Sequence, residues 1–122
     1  MNIKKVSELT GLSAHTLRYY EKIGLLIDVK RNHSKHRYYT ETDLKWIEFI
    51  IRLKETAMPL SEMRRFARLR YKGDSTLEER RQMLEVHNRR IKDKIELLQK
   101  NQQKLDLKIE HYVQLESEQK KS

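Results

Sequence analysis

The sequence predicts a mainly α-helical protein, in which a small helix-turn-helix module with a wing precedes one long dimerisation helix. Three observations support this fold class. The 122 residues include only 3 Gly and 1 Pro, so turns are few. Charged residues make up 37% of the chain, which is typical of extended helices and high for a self-sufficient core. Apolar residues also recur every seven positions in the second part of the chain, as they do in a coiled coil.

The charge balance favours a polyanionic partner. The net charge is +9, and residues 1–76 contribute 16 − 9 = +7, against 11 − 9 = +2 from residues 77–122. The absence of cysteine excludes disulfides, thiolate metal sites and thiol redox sensing. We find neither a membrane-spanning apolar run nor a signal-peptide core, so we expect a soluble, cytoplasmic protein without membrane association.

Two short helices open the chain. The first is predicted from about Lys5 to Thr10, where Gly11 allows the chain to turn. The second is predicted over about 14–23, with Ser13 as its N-cap and Gly24 at its end. Two short helices joined by a glycine-containing turn are the pattern of a helix-turn-helix, although many helical hairpins share it.

A two-stranded hairpin, or wing, is predicted over residues 25–39. Its ends, residues 25–27 and 37–39, are rich in residues that favour strands, and its middle is polar and basic. The tip contains no glycine, which is unfavourable for a tight hairpin.

Two further helices complete the module. Thr40 and Asp43 have the spacing of a capping box, which starts a third helix that is predicted to reach about Thr56. Pro59 suits the first turn of a fourth helix, which is predicted to end at about Arg70. These elements define a predicted winged helix-turn-helix domain over residues 1–72.

A long coiled-coil helix is predicted over residues 75–115, starting at a second capping box formed by Ser75 and Glu78. It would be too long to bury its apolar stripe on a domain of this size, so it needs a second copy. Residues 116–122 are predicted to be a polar tail. The polar seam residues Arg81, Asn88 and Gln102 either fix the register or lie exposed where the helices separate. The predicted dimer interface comprises Leu77, Leu84, Asn88, Ile91, Ile95, Leu98, Gln102, Leu105, Ile109 and Tyr112.

These features together resemble one protein family. The run SAHTLRYYEKIGLL at residues 13–26, the wing residues Arg31 and 37–40, and the segment LKETAMPLSEMRRF resemble the MerR family of bacterial transcription regulators. The resemblance covers roughly residues 1–115 and implies a winged helix-turn-helix with an antiparallel coiled-coil dimer. It also implies binding to a pseudo-palindromic promoter operator, and activation by distorting the DNA for RNA polymerase on the bacterial nucleoid.

The chain departs from the family pattern at several positions. It lacks the cysteines of the metal-sensing members, and we expect no separate effector domain like that of the multidrug-binding members. Lys35 occupies the wing-tip position of a glycine, and Ala57 occupies that of the glycine before the second wing. Ile27 and Asp28 replace prolines that commonly follow Gly24-Leu25-Leu26.

The second helix is predicted to enter the major groove of DNA. Arg18 has the chemistry to read guanine through two hydrogen bonds, with a phosphate contact as the alternative. We expect Tyr19 near the bases and Tyr20 on a phosphate. The wing arginines suit phosphates, which position a protein without reading sequence. The full predicted DNA-binding set is Ser13, His15, Thr16, Arg18, Tyr19, Tyr20, Arg31, His36, Arg37, Tyr38 and Lys54.

Functions other than the activation of transcription are also compatible with the sequence. An effector-independent repressor and a coiled-coil adaptor protein are the alternatives. An enzyme is disfavoured, because no nucleophile–base pair or phosphate-binding loop occurs, and no cofactor is predicted. His33 and His36 lack a third ligand, so no metal site is predicted. A small organic effector is possible, with Trp46, Tyr71 and Tyr112 as aromatic contacts, although core packing is the simpler role for them.

Overall fold

A computed structural model describes all 122 residues and confirms a mainly helical chain with a small two-stranded wing and a long final helix. A short 3-10 turn, Asp74–Thr76, precedes the last helix. The elements are α1 (Ile3–Thr10), α2 (Ala14–Lys22), β1 (Lys30–Arg31), β2 (Arg37–Tyr38), α3 (Glu41–Glu55), α4 (Leu60–Lys72) and α5 (Leu77–Lys121).

The chain divides into two compact units, Met1–Leu84 and Glu85–Ser122. The first unit therefore extends beyond the domain boundary predicted at residue 72. The reason is that Met83 and Leu84, in the first turns of α5, pack against the same hydrophobic cluster as the preceding helices. The sequence pattern could not separate these turns from the rest of the long helix, since the seven-residue repeat already includes Leu84.

The core of the first unit is built from the inward faces of α1 to α4. Its most deeply buried side chains include Val6, Leu17, Ile47 and Ile50. Trp46 joins this core to the end of α2, because its indole Nε1 donates a hydrogen bond of 2.8 Å to the carbonyl oxygen of Leu25. A buried indole N–H needs such an acceptor, so this bond also fixes the orientation of the ring.

The prediction of a long wing was wrong at its first half. Leu25 and Leu26 are buried, and both backbone N–H groups donate to the carbonyl oxygen of Tyr20 at 2.9 and 3.2 Å. They therefore complete the C-terminal turn of α2 and do not form a strand. Each strand has only two residues, with Lys30 opposite Tyr38 and Arg31 opposite Arg37 in an antiparallel register.

Three residues other than glycine adopt the left-handed region that favours glycine. They are Asp28, Lys35 and Ala57, with φ of 60°, 64° and 59°. Lys35 and Ala57 are the two positions where the sequence lacks a glycine expected from the family pattern. The backbone therefore keeps the turn geometry, at a steric cost to each side chain.

The capping predictions had mixed outcomes. The box at the start of α3 is confirmed, with Thr40 N donating to the Asp43 carboxylate at 3.0 Å and Asp43 N to the Thr40 hydroxyl at 3.1 Å. The second predicted box, Ser75 with Glu78, was wrong. Thr76 stabilises this junction instead: its hydroxyl donates to the carbonyl oxygens of Leu69 and Gly73 at 2.6 and 2.8 Å.

Helix α5 runs for 45 residues without a break. It continues to Lys121, so the segment predicted to be a polar tail is helical almost to its end. Among its apolar side chains, Leu98, Leu105 and Ile109 are at least 60% exposed in the single chain. Its only buried side chain is His87. No helix of the chain is long and apolar enough to cross a membrane.

Candidate nucleic-acid interface

The start of α2 is fixed by its own side chains. Ser13 is the N-cap, with extended φ and ψ, and its hydroxyl accepts a hydrogen bond from the backbone N–H of Thr16 at 3.0 Å. The hydroxyl oxygens of Ser13 and Thr16 also lie 3.0 Å apart. This cap holds the first turn of α2 in a defined direction, which is the part of a recognition helix that lies nearest to base edges.

The outward face of α2 carries three of the predicted DNA contacts. His15, Arg18 and Tyr19 are exposed, and Tyr19 is 48% exposed. Leu17, on the opposite face, is completely buried. The structure thus places the predicted base-reading side chains on the open side of a helix whose other side is anchored in the core.

Tyr20 is packed differently from Tyr19. It is only 3% exposed, and its hydroxyl lies 3.3 Å from Nζ of Lys54, which also lies 5.5 Å from the centroid of its ring. The ring of Tyr20 therefore belongs to the core, and a phosphate contact through its hydroxyl, beside the Lys54 ammonium, stays a prediction. The signal was available in the sequence, because Tyr20 follows Leu17 by three positions and so shares its face of the helix.

Lys54, in the last turn of α3, contacts α2. Its side chain is exposed, and its ammonium group donates to the hydroxyl of Tyr20. The turn that follows is closed by Thr56, whose hydroxyl donates to the carbonyl oxygens of Arg52 and Leu53. These contacts place a cation at the same side of the molecule as α2.

The wing is held against α2 by one carboxylate. The Glu21 Oε2 atom accepts a hydrogen bond from Nε of Arg37 at 2.9 Å and lies 2.9 Å from its Nη2. The guanidinium of Arg31 lies 3.8 Å from the same oxygen. The two arginines predicted as phosphate anchors are therefore pre-positioned by a residue that sequence analysis did not single out.

Asn32 is a second residue that the sequence analysis missed. Its side-chain oxygen accepts hydrogen bonds from the backbone N–H groups of Ser34 and His36 at 2.9 and 3.1 Å. Asparagine often stabilises turns in this way, which was the available signal. The loop that results leaves His36, Tyr38 and the side chain of Lys35 exposed.

A basic cleft of about 390 Å³ lies between the start of α1, the helix α2 and the wing. Cations surround it from all three elements, and no carboxylate lines it. This combination suits an oxyanion such as a DNA phosphate. The cationic and imidazole residues that line it are Lys4, Arg18, Arg31, Lys35, His36 and Arg37.

Helix α4 carries five basic residues, which are Arg64, Arg65, Arg68, Arg70 and Lys72. Arg65 forms an ion pair with Glu79 of α5, whereas Arg64 and Arg68 are exposed.

No group of three potential metal ligands occurs anywhere in the chain. His33 and His36 are both exposed in the wing loop.

A capped helix with an open polar face, flanked by a basic hairpin, defines the winged helix-turn-helix class of DNA-binding proteins. Two family models match the sequence: "MerR HTH family regulatory protein" over residues 1–70 and "MerR, DNA binding" over residues 44–107. The chain therefore belongs to the MerR family of transcriptional regulators.

Individual relatives agree with this assignment. An HTH-type transcriptional regulator from Haemophilus influenzae is 38% identical over 108 residues, which are 88% of this chain and 80% of the relative. A MerR-family regulator from Listeria monocytogenes superposes with a TM-score of 0.84 at 36% identity, covering 92% of this chain and 85% of that one.

A third relative was solved with its target. HiNmlR, a MerR family regulator lacking the sensor domain, was crystallised bound to promoter DNA. It superposes with a TM-score of 0.81 at 35% identity, and the alignment covers 95% of this chain and 92% of that one.

Proposed function

We propose that this chain binds a pseudo-palindromic promoter operator as a homodimer and activates transcription by distorting the DNA. The observation that carries the proposal is the basic cleft that joins the exposed face of α2 to the wing. Double-stranded DNA presents phosphates beside a major groove, and the cleft and the helix face match these two features respectively.

The proposed contacts fall into two groups. His15, Thr16, Arg18 and Tyr19 face the bases from α2, with Ser13 at the helix start beside the backbone. The remaining contacts bind phosphates, which position the helix without carrying sequence information. These phosphate-binding residues are Arg31, His36, Arg37, Tyr38 and Lys54.

The dimer is proposed to form through α5 in the antiparallel arrangement of the family. The exposed apolar side chains of α5 recur at seven-residue intervals, and water-exposed rows of this kind are stabilised by a partner helix. Two copies related by a two-fold axis would read two half-sites in opposite orientation, as a pseudo-palindrome requires. Leu84 is partly buried against the core of its own chain, and it stays part of the proposed interface.

The proposed activity requires promoter DNA and RNA polymerase as partners, and it places the protein on the nucleoid of a bacterial cell. It involves no catalytic step by the chain itself. The HiNmlR structure supports this proposal, because that MerR family regulator, which lacks the sensor domain, was solved bound to promoter DNA. A small organic effector is compatible with the proposal.

Selection from a random duplex library, followed by fluorescence anisotropy on the enriched sequence, tests the proposal. We expect an inverted repeat to be enriched. We also expect log K to fall linearly with log salt, with a slope of roughly −0.9 for each phosphate neutralised. Enrichment of no sequence, or binding that does not respond to salt, would contradict the proposal.

Transcription in vitro then separates activation from repression. The selected operator is placed between promoter elements with an overlong spacer, and transcript is measured with and without the protein. We expect more transcript when the protein is present. A decrease that candidate small-molecule ligands do not relieve would identify an effector-independent repressor, and no binding to DNA at all would favour an adaptor protein.

A further inference from the structure

A second cavity lies away from the DNA-binding cleft, where α3, α4 and the start of α5 meet within the first unit. Its volume is about 290 Å³, close to the lower end of small-molecule sites, and it opens to solvent. It is lined by Thr42, Lys45, Trp46, Phe49, Phe66, Arg70 and Arg80.

The floor of the cavity is aromatic. The rings of Trp46 and Phe66 stack with centroids 5.7 Å apart and planes inclined by 9°. The ring of Phe49 is tilted relative to both, and its centroid lies 6.1 Å from that of Trp46 and 5.8 Å from that of Phe66. Trp46 and Phe66 are only 6% and 5% exposed, so a planar ligand ring would contact this cluster mainly through the partly buried Phe49, with the offset or tilted geometry that aromatic pairs prefer.

The rim of the cavity is cationic. The guanidinium of Arg70 lies 4.9 Å from the centroid of the Trp46 ring. Burial is the main cause that lowers the pKa of Arg70, and the nearby charge of Arg80 lowers it further, while Asp43 acts in the opposite direction. Three cationic side chains, Lys45, Arg70 and Arg80, line the cavity and no carboxylate does, so an added negative charge would be stabilised there.

Arg80 also has an unused hydrogen-bond donor. One terminal nitrogen donates to the carbonyl oxygen of Gly73 at 3.3 Å, but its Nε is buried and has no acceptor. A buried donor without an acceptor costs free energy, and an anion at this site could relieve that cost by redirecting the guanidinium.

We propose that this cavity binds a planar aromatic acid, with its ring on the Trp46, Phe49 and Phe66 cluster and its carboxylate between Arg70 and Arg80. The site has a direct connection to the reading helix. Trp46 donates to the carbonyl oxygen of Leu25, whose own N–H completes the last turn of α2. A ligand that moves the indole would therefore change a contact at the end of the recognition helix.

Trp46 is the only tryptophan of the chain, so its fluorescence reports on this cavity alone. Benzoate is the probe, titrated into the natural protein without DNA and excited at a wavelength that tyrosine does not absorb. Benzamide serves as the neutral ring and acetate as the ringless anion. We expect saturable quenching or a spectral shift by benzoate, with at least ten-fold weaker binding of both controls.

Variants then test the two cations. Arg80→Gln and Arg70→Gln should each weaken benzoate binding at least five-fold, whereas Arg64→Gln, which removes an exposed cation from α4, should leave it unchanged. The thermal midpoint of each variant shows whether it has folded, and the ligand series on the natural protein tests the proposal even if one has not.

Three results would overturn the proposal. They are no saturable change with benzoate, equal binding of benzoate and benzamide, and equal effects of the Arg64 and Arg80 substitutions. The first of these is also the result expected if a second copy of the chain fills the cavity. None of the measurements uses DNA, so a failure here leaves the proposed DNA-binding function untouched.

Discussion

Glu21 of the recognition helix and Arg37 of the wing form an ion pair in which Nε and Nη2 both lie 2.9 Å from one carboxylate oxygen. Each side chain is only 23% exposed, so the pair is more shielded from water than a typical surface pair. The wing contains only four strand residues, and this contact therefore supplies much of what holds it against α2.

A double-mutant cycle measures this link. We expect Glu21→Gln and Arg37→Gln to show a coupling of about 1 kcal/mol in the free energy of unfolding, because the pair is half-buried and hydrogen-bonded. Urea denaturation of the four proteins gives the value. The exposed pair Asp28 and Lys30 is the control, and its coupling should be too small to resolve. Equal coupling in the two cycles would show that the wing is not held by this contact.

Arg18→Ala should relax the sequence preference of DNA binding. If Arg18 reads a base, its loss costs roughly 1–3 kcal/mol at one base pair and little at the others. Competition between the selected operator and single-base variants of it measures the change. An unaltered pattern of discrimination would mean that Arg18 contacts a phosphate, or that α2 is not the reading helix.

Arg37→Ala should act differently from Arg18→Ala. As a phosphate contact, it should weaken binding to all sequences alike and reduce the salt slope by roughly one unit. Binding constants at four salt concentrations, on the operator and on an unrelated duplex, give both quantities. Arg64→Ala is the control for loss of a positive charge elsewhere. A loss of affinity restricted to the operator would contradict the assignment.

Ala57→Gly should stabilise the protein. Ala57 is exposed and has a φ of 59°, where a Cβ atom is unfavourable and glycine is not. The relief exceeds the extra backbone entropy of glycine in the unfolded chain, for a net gain of about 0.5–1 kcal/mol. Ala67→Gly, within α4, should instead destabilise by more than about 1 kcal/mol, because it lowers helix propensity and also removes a buried methyl group. Chemical denaturation of both variants checks the signs, and a loss of stability in Ala57→Gly would exclude strain at this turn.

Leu98→Lys should dissociate the dimer. Leu98 is 67% exposed in the single chain and lies at a position of the seven-residue repeat, so a lysine there would place a charge in the proposed interface. Sedimentation velocity should show a monomer, and binding to the inverted repeat should weaken sharply. Gln103→Lys adds the same charge at an exposed position outside the repeat and should leave the dimer intact.

Local signals in the sequence predicted most of the fold. The capping pair of Thr40 and Asp43 and the glycines after α1 and α2 each act over a few residues, and each is realised as expected. The apolar repeat lies on one continuous helix, as expected, and its pairing with a second copy stays a prediction. The second predicted box failed because Ser75 lies within a 3-10 turn, where Thr76 satisfies the carbonyl oxygens. A pattern of residue types cannot distinguish these two neighbouring hydroxyls.

Less of the candidate site than of the fold could be predicted from the sequence. Its exposed helix face follows from periodicity, but the ion pair between Glu21 and Arg37 joins residues 16 positions apart. Likewise, Lys54 meets Tyr20 across 34 positions. Such contacts depend on how the elements pack, and a single sequence carries no direct record of that packing. The burial of Tyr20 is different, because helical periodicity alone could have indicated it.

The wing loop also contains accessible cleavage sites for trypsin. Lys35 lies at a left-handed position of an exposed loop, with Arg31 and Arg37 on either side of it. Trypsin cleaves after lysine and arginine, and exposed loop tips are the segments that proteases reach first. Bound DNA would cover these same residues, so the rate of the first tryptic cut becomes a measure of operator occupancy that needs no label on either molecule.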